Sequence, residues 1–412
     1  MPTSPEHAAT GGRASAPGRP RVFISAAEPS GDRHAASLIR EMRRICPELT
    51  FLGLAGPAMQ AAGCQAIEDL TGRAVMLLGA LQLAGHAHRL LGRIHRMLVA
   101  HPADLVILVD SPALHLPLAK RAKSAGCPVL YYIAPQLWAW APWRIGRLRR
   151  RVDRLAVILP FEEAYFRQRG VEARYVGHPL IEQLQAQPPR PDAVRQFRQQ
   201  GQLVIACLPG SRQHVVREVL PGQIEVARAI AARHPHALFL FAAASAALAN
   251  GIRDALAGES LASRVELGHN AEILAAADLA LCASGTATLE VAYHRVPMIV
   301  MYNGSKWGYR LIGRWLIRTP HLSLVNILAG RPIVPEFMPY YTSTAPIVAE
   351  ALDLLANPSR RATMQSDLST IITSLGPASA ARQTALLALD LLGATTRRCV
   401  PLSKVVNWSR RV

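Results

Sequence analysis

The sequence predicts an α/β protein with two doubly wound parallel sheets. Three observations predict it. Short apolar runs alternate with helix-period segments along most of the 412 residues, the pattern of strands covered by helices on both faces. The alternation breaks once, at a polar stretch holding Pro188, Pro189 and Pro191, and then restarts, as at a join between domains. Residues able to do chemistry cluster just past strand-like runs in both halves, where open parallel sheets bind ligands.

Met1 to Pro20 is rich in Pro, Gly, Ala and Ser with no apolar core, so residues 1–20 are expected to be a disordered leader, not a signal peptide. The first sheet domain is expected over 21–185. Its strands are Val22–Ser25, Phe51–Leu54, Leu105–Val109, Val129–Ile133, Val157–Leu159 and Arg174–Val176, with a helix over Ala35–Arg43. The second domain is expected over 186–378, with strands Leu203–Leu208, Leu238–Phe241, Val265–Leu267, Leu279–Ala283 and Met298–Met301. A closing helix follows over 379–394, with Ser379 as its N-cap, and then a basic tail over 395–412.

Half of the residues are hydrophobic and 18% are charged, enough to bury sizeable cores; this length implies two domains. Lys and Arg number 46 against 28 Asp and Glu, a net charge of +18. That favours an anionic partner: nucleic acid, a phosphorylated substrate or an acidic membrane surface. No zinc-finger spacing, RNP-like run or helix-turn-helix signature is present, so nucleic acid is not expected. The six cysteines are scattered, and Cys207 and Cys282 sit in apolar runs, as buried thiols in a reducing cytoplasm do. No apolar stretch approaches the roughly 20 residues that span a bilayer, so a soluble or peripheral protein is expected.

The stretch Asp278 to Glu290 organises the rest. Leu279–Ala283 reads as a buried strand, Ser284-Gly285-Thr286 breaks it, and Ala287–His294 reads as a helix entered through hydroxyl residues suited to an N-cap. A strand, a glycine turn and a helix start leave backbone N–H groups for a phosphate. Glu290, about one helical turn in, offers a carboxylate to ribose hydroxyls. An ordinary strand–turn–helix corner is the competing reading. Pro209-Gly210-Ser211-Arg212 ends the run Leu203–Leu208: glycine lets backbone approach an anion, Ser211 donates, and a guanidinium grips a diphosphate bidentately. It is not a P-loop, because the Lys-Ser/Thr pair is missing.

In the first half the corresponding residues are Glu28, Gly31, Asp32, Asp110 and Gln136. Asp110 closes Leu105–Val109 and reads as either a helix cap or a general base taking a proton from a sugar hydroxyl. Asp32 is expected to cap its own helix, His34 to face solvent, and His178 to serve as a hinge hydrogen bond or a ligand. None has metal-ligand spacing; no metal or other cofactor is expected.

Three segments read as basic and amphipathic. Leu83 to Leu98 has an apolar stripe of Leu83, Ala87, Leu90, Ile94 and Met97 beside His86, Arg89, Arg93 and Arg96. Trp138 to Arg154 places Arg144, Arg147, Arg151 and Arg154 on one face, led by Trp138, Trp140 and Trp143. Lys306 to Arg318 repeats Lys306, Arg310, Arg314 and Arg318 beside Trp307, Leu311 and Trp315. Aromatics with arginines suit a membrane-facing surface, with Trp307, Arg310, Arg314 and Trp315 as its clearest members; solvated surface helices are the alternative.

In order, the chain carries Ala27-Glu28-Pro29-Ser30-Gly31-Asp32, Gly53 to Met59, Val75-Met76, Asp110-Ser111-Pro112, Ala134 to Trp140 and Leu159 to Glu162. Val176 to Leu180, Leu208 to Arg212, Ala283 to Glu290 and Asn326 to Pro332 follow. Together these resemble the lipid-A-disaccharide synthase family, glycosyltransferases of the GT-B fold. The resemblance implies two Rossmann-like domains facing a cleft. It implies transfer of a sugar from UDP-2,3-diacylglucosamine to 2,3-diacylglucosamine 1-phosphate, with inversion and without metal. It also implies a cytoplasmic protein, peripheral on the inner face of the inner membrane, with a homodimer as an open expectation. By position, Asp110 matches the family's proposed base. Arg212, Gly210, Ser211, Ser284, Gly285 and Thr286 match the UDP-phosphate site, and Glu290 a nucleotide contact. Glu28 matches a polar residue of the site and is expected to be catalytic with Asp110, and Asn326 and Gln136 match further polar site residues. Ala113, Leu114 and His115 depart from the family's usual Asp-Phe-Asn, Gln213 to Val216 stand where an acidic residue is usual, and Leu77 replaces a glycine. Two alternatives stay open: a related UDP-sugar enzyme with a different acceptor, and an inactive relative that binds lipid or nucleotide.

Overall fold

The computed structural model describes residues 19–71, 80–304, 320–376 and 379–396. Most of the leader and of the tail therefore lies outside the described residues, as do Val75, Met76 and Leu77. The segment 305–319, with Trp307, Arg310, Arg314 and Trp315, lies outside them too.

Strands β1 (Arg21–Ala26), β2 (Thr50–Leu54), β3 (Cys64–Glu68), β4 (Leu105–Val109), β5 (Val129–Tyr132), β6 (Arg154–Val157) and β7 (Ala173–Tyr175) form one sheet in the order β3-β2-β1-β4-β5-β6-β7. Strands β8 (Leu203–Leu208), β9 (Ala237–Ala243), β10 (Ser263–Leu267), β11 (Leu279–Ala283), β12 (Met298–Met301) and β13 (Glu336–Phe337) form the other, ordered β10-β9-β8-β11-β12-β13. The described pairings are parallel. By contact density the chain divides into two compact units, one running to Tyr132 and resuming at Ala385, the other Ile133–Thr384.

The central strands need both faces covered, and their composition allows it. All five residues of β4, Leu-Val-Ile-Leu-Val, are buried, as are all five of β11. Such near-continuous apolar runs are what parallel strands between helix layers require. The helix Pro29–Ile45 covers β1 with Ala35, Leu38, Ile39 and Met42, all buried at helical spacing.

Where the structure departs from the sequence reading, edges and helix entries are the cause. β3 was not anticipated because it is an edge strand with Gln65 and Ala66 exposed, so no apolar run marks it. β13 has two residues. The run expected over Val157–Leu159 is strand only to Val157, because Leu159 is the N-cap of the helix Pro160–Arg167. Cys207 and Cys282 are fully buried free thiols, as expected. Ser379 caps its helix, its hydroxyl accepting from Arg382 N–H at 3.3 Å.

Two of the three basic amphipathic segments need correction. In the helix Ala80–Ala100 the residues Leu90, Leu91, Ile94 and Leu98 are buried in the protein, so Leu90 and Ile94 of the apolar stripe are core, while Ala87 and Met97 are half-buried and Arg89, Arg93 and Arg96 are exposed. Beyond Trp138 the helix Ile145–Arg151 stops before Arg154, which belongs to β6, so the four arginines do not share one helix face. Trp138 is buried, whereas Trp143 is 58% exposed. No described helix is long and apolar enough to cross a membrane.

Asp32 does not cap its own helix. Its carboxylate accepts from Ala58 N–H at 2.9 Å and Met59 N–H at 3.1 Å, capping the helix Pro57–Ala61. His34 is half-buried instead of solvent-facing, and burial, helped by Arg33, lowers its imidazole to about 4. Asp32→Ala strands two N–H donors and is expected to lower stability by about 1–2 kcal/mol, read as a reduced urea midpoint at unchanged m.

Candidate active site

Each sheet reverses its strand order once. In the second sheet the reversal lies between β8 and β11, which pair directly with Cys282 opposite Leu208. The segments leaving these two strands are Pro209–Arg212 and Ser284–Thr286, so residues far apart in sequence become neighbours. Gly210 has φ +118°, and a Cβ there would lie 2.6 Å from Val215 Cγ1 and 3.8 Å from Ala283 Cβ. Only glycine fits that turn. Gly285, at φ +135°, has open space around it. Ser211, Arg212 and Thr286 are exposed.

The hydroxyls at the start of the helix Ala287–Tyr293 do not cap it. Thr286 is the N-cap residue without a side-chain cap bond; Thr288 Oγ1 instead donates to Gly285 O at 2.8 Å. Among the described residues, the N–H groups of Ser284, Gly285 and Thr286 make no turn or cap hydrogen bond to backbone, which leaves donors at the switch point. Glu290 accepts from Asn270 Nδ2 at 3.3 Å. Burial raises its carboxyl above the usual range, opposed by that hydrogen bond. Asn270 was not anticipated, because nothing in its local sequence links it to position 290.

In the first sheet the reversal lies between β1 and β4, with Ala26 opposite Val109. Glu28 follows β1 and is the N-cap residue of the helix Pro29–Ile45. Asp110 follows β4. Gly31 lies close against this end, since a Cβ there would be 3.7 Å from Val109 O. Asp110 and Ser111 both adopt left-handed backbone, at φ 55° and 46°, at a cost on the order of 1–2 kcal/mol each. Ser111 is the N-cap residue of the helix Pro112–Ser124 but makes no side-chain cap bond. Its hydroxyl is buried with no hydrogen-bond partner among the described residues. The Asp110 carbonyl accepts from Tyr131 Oη at 2.6 Å and from His115 Nδ1 at 2.7 Å. Burial lowers the His115 imidazole to about 4, so it is neutral at ordinary pH.

Of the other anticipated residues, His178 and Asn326 have structural partners. Gln136 is exposed at the start of the one-turn helix Leu137–Trp140. His178 caps the helix Pro179–Ala186, its Nδ1 accepting from Leu180 N–H at 3.3 Å. Asn326 is buried, and its amide is saturated. Oδ1 accepts from Ile333 and Val334 N–H; Nδ2 donates to Val334 O and Glu336 Oε1.

A family model described as lipid-A-disaccharide synthetase matches residues 22–390. The chain belongs to the lipid-A-disaccharide synthetase family. It is 39% identical over 378 residues to the lipid-A-disaccharide synthase of Nitrosococcus oceani, covering 90% of this chain and 96% of that protein. It is 40% identical over 377 residues to that of Syntrophus aciditrophicus, covering 90% and 97%. Among solved structures, the glycotransferase of kitacinnamycin superposes with a TM-score of 0.61 at 13% identity, over 91% of this chain and 100% of that one. A UDP-GlcNAc 2-epimerase from Neisseria meningitidis, bound to UDP-GlcNAc, gives 0.57 at 14%, over 90% and 99%. These two likenesses concern the fold alone, and they agree with the GT-B class expected from the sequence.

Two motif blocks of this lipid-A-disaccharide synthetase family member are joined by one buried carboxylate. Glu162 accepts from Trp138 Nε1 at 2.9 Å through Oε1, and from Ile158 and Leu159 N–H through Oε2. Trp138 also stacks edge-on to Phe161, ring centroids 5.0 Å apart. Burial outweighs the three hydrogen bonds and raises the Glu162 carboxyl to about 7. The folded state then holds a proton that the unfolded chain, with its ordinary carboxyl near 4.5, has released. This group's contribution is therefore present below about 4.5 and declines as pH rises to about 7. Between pH 5 and pH 7.5 the wild type is expected to lose more urea stability than Glu162→Gln; equal slopes would reject the raised value.

Proposed function

We propose that the chain is an inverting glycosyltransferase that forms lipid A disaccharide 1-phosphate. UDP-2,3-diacylglucosamine is the donor, 2,3-diacylglucosamine 1-phosphate the acceptor, and UDP the other product. The observation that carries this reading is the placement of the chemistry-bearing residues at both strand-order reversals: Glu28 and Asp110 in one sheet, Gly210–Arg212 and Ser284–Glu290 in the other.

In this reading Asp110 takes the proton of the acceptor 6-hydroxyl as that oxygen bonds to the donor's anomeric carbon. The bond from that carbon to the diphosphate oxygen breaks, and UDP leaves with the electron pair. A single displacement inverts the anomeric centre to the β-1,6 linkage. Charge growing on the diphosphate meets Arg212, Ser211 and the N–H groups of Ser284–Thr286. Glu290, steadied by Asn270, accepts from the nucleotide's ribose. Gln136 and Glu28 act as polar site residues, and Asn326 acts by shaping the loop to Glu336. No metal or other cofactor is assigned. Acylated substrates put the work at a membrane surface, so the protein is assigned a cytoplasmic place, peripheral on the inner face of the inner membrane. Contact with anionic lipid is assigned to Trp307, Arg310, Arg314 and Trp315.

Incubating the purified protein with both acylated substrates and following UDP release tests the reading. Turnover with only a different acceptor would replace it with another UDP-sugar transferase, and binding without turnover with a non-catalytic relative. Asp110→Ala is expected to abolish turnover with nearly unchanged UDP affinity in calorimetry; a large loss of UDP binding would reject Asp110 as the base. Arg212→Ala is expected to weaken donor binding by about 1–3 kcal/mol, and an unchanged donor dissociation constant would remove it from the diphosphate site.

A further inference from the structure

The Asp110–Ser111 turn is held in a conformation that two adjacent non-glycine residues do not adopt unaided, so its surroundings must over-determine it. They do so through hydrogen bonds to the main chain of Asp110. Its N–H donates to Tyr132 O at 2.9 Å, and its carbonyl takes two donors, Tyr131 Oη and His115 Nδ1. The other imidazole nitrogen, Nε2, lies 2.8 Å from Ser25 Oγ on β1. Ser25, His115 and Tyr131 are all fully buried, and the His115 and Tyr131 rings meet edge-on at 6.3 Å and 78°.

The chemistry fixes the direction of this chain. A carbonyl cannot donate, so Nδ1 carries the hydrogen. A neutral imidazole then has its lone pair on Nε2, and the Ser25 hydroxyl donates to it. The sequence runs Ser25 O–H to His115 Nε2, then His115 Nδ1–H to Asp110 O. It ties β1 to the end of β4 across the strand reversal.

We infer that Ser25, His115 and Tyr131 form a positioning device for Asp110, fixing the backbone from which its carboxylate serves the acceptor. This rests on the reading of Asp110 as the base. An asparagine at position 115 would keep an amide donor for the Asp110 carbonyl but is too short to reach Ser25 as well. Histidine spans both partners. None of the three residues is assigned contact with substrate.

The test compares wild type with His115→Phe, His115→Asn and Tyr131→Phe. Two measurements are made: UDP-release kinetics across pH with both acylated substrates, and hydrogen–deuterium exchange of peptides covering 108–116. For His115→Phe, kcat is expected to fall on the order of tenfold to a hundredfold. The donor KM should stay within about twofold of wild type, because a base is displaced and no donor contact is lost. His115→Asn should recover most of that loss, and Tyr131→Phe should fall between. Exchange at 110–115 should quicken in His115→Phe and stay near wild type in His115→Asn.

An unchanged kcat in a folded His115→Phe, or a loss carried by donor KM alone, would overturn the positioning role. Unchanged exchange would overturn the claim that His115 holds the turn. Should His115→Phe not fold, Tyr131→Phe keeps the buried ring and is judged by the same criteria. Absence of turnover in the wild type would instead sink the reading of Asp110 as the base, and the role of these residues with it; the exchange result still decides whether His115 holds the turn.

Discussion

Parallel strands must be buried on both faces, and this constraint governs the molecule. β4 and β11 are apolar at every position, and each pairs with the first strand of its own sheet, β1 or β8. Polar work cannot be done along such strands. It is pushed to their carboxyl ends, where the chain leaves the sheet and backbone groups lose their ladder partners. Where strand order reverses, the two connecting segments leave to opposite faces of the sheet and open a crevice. Glu28 with Asp110, and Gly210–Arg212 with Ser284–Thr286, occupy those two places.

A second theme is the use of buried polar side chains as scaffolding. Asp32 caps a neighbouring helix, Glu162 joins two motif blocks, and Asn326 spends its whole amide on one loop. Each satisfies donors that would otherwise be stranded on burial, and each fixes a turn whose geometry matters more than its own reactivity. A motif residue of this kind looks functional in a sequence. Its physical role is to hold something else still. His115 follows the same pattern beside the strained Asp110–Ser111 turn.

The strands at the centre of each sheet were legible because burial writes itself as an apolar run: Leu105–Val109, Leu203–Leu208, Leu279–Ala283 and Met298–Met301 begin and end where expected. The edges were not. β3 carries Gln65 and Ala66 in the open, and β13 is too short for any periodicity. Two of the amphipathic readings, Leu83–Leu98 and Trp138–Arg154, failed for a related reason. An apolar stripe on a helix says that something covers it, not what; Leu90, Ile94 and Leu98 are covered by the protein itself. In the candidate site, Gly210, Arg212, Ser284 and Asp110 were legible because glycine, hydroxyl and charge follow strands directly. Asn270, Ser25 and Tyr131 were not, since their partners lie at sequence separations of 20, 90 and 21 residues.

The sequence by itself determined the class of fold, its two-sheet organisation and the family, because burial patterns and ordered motifs are local and survive reading in one dimension. Only the tertiary structure decided which strands adjoin at each reversal, which carboxylate caps which helix, and that the Asp110 turn is strained and braced. Those facts depend on hydrogen bonds between distant segments. Such bonds form only once the sheets have brought their ends together.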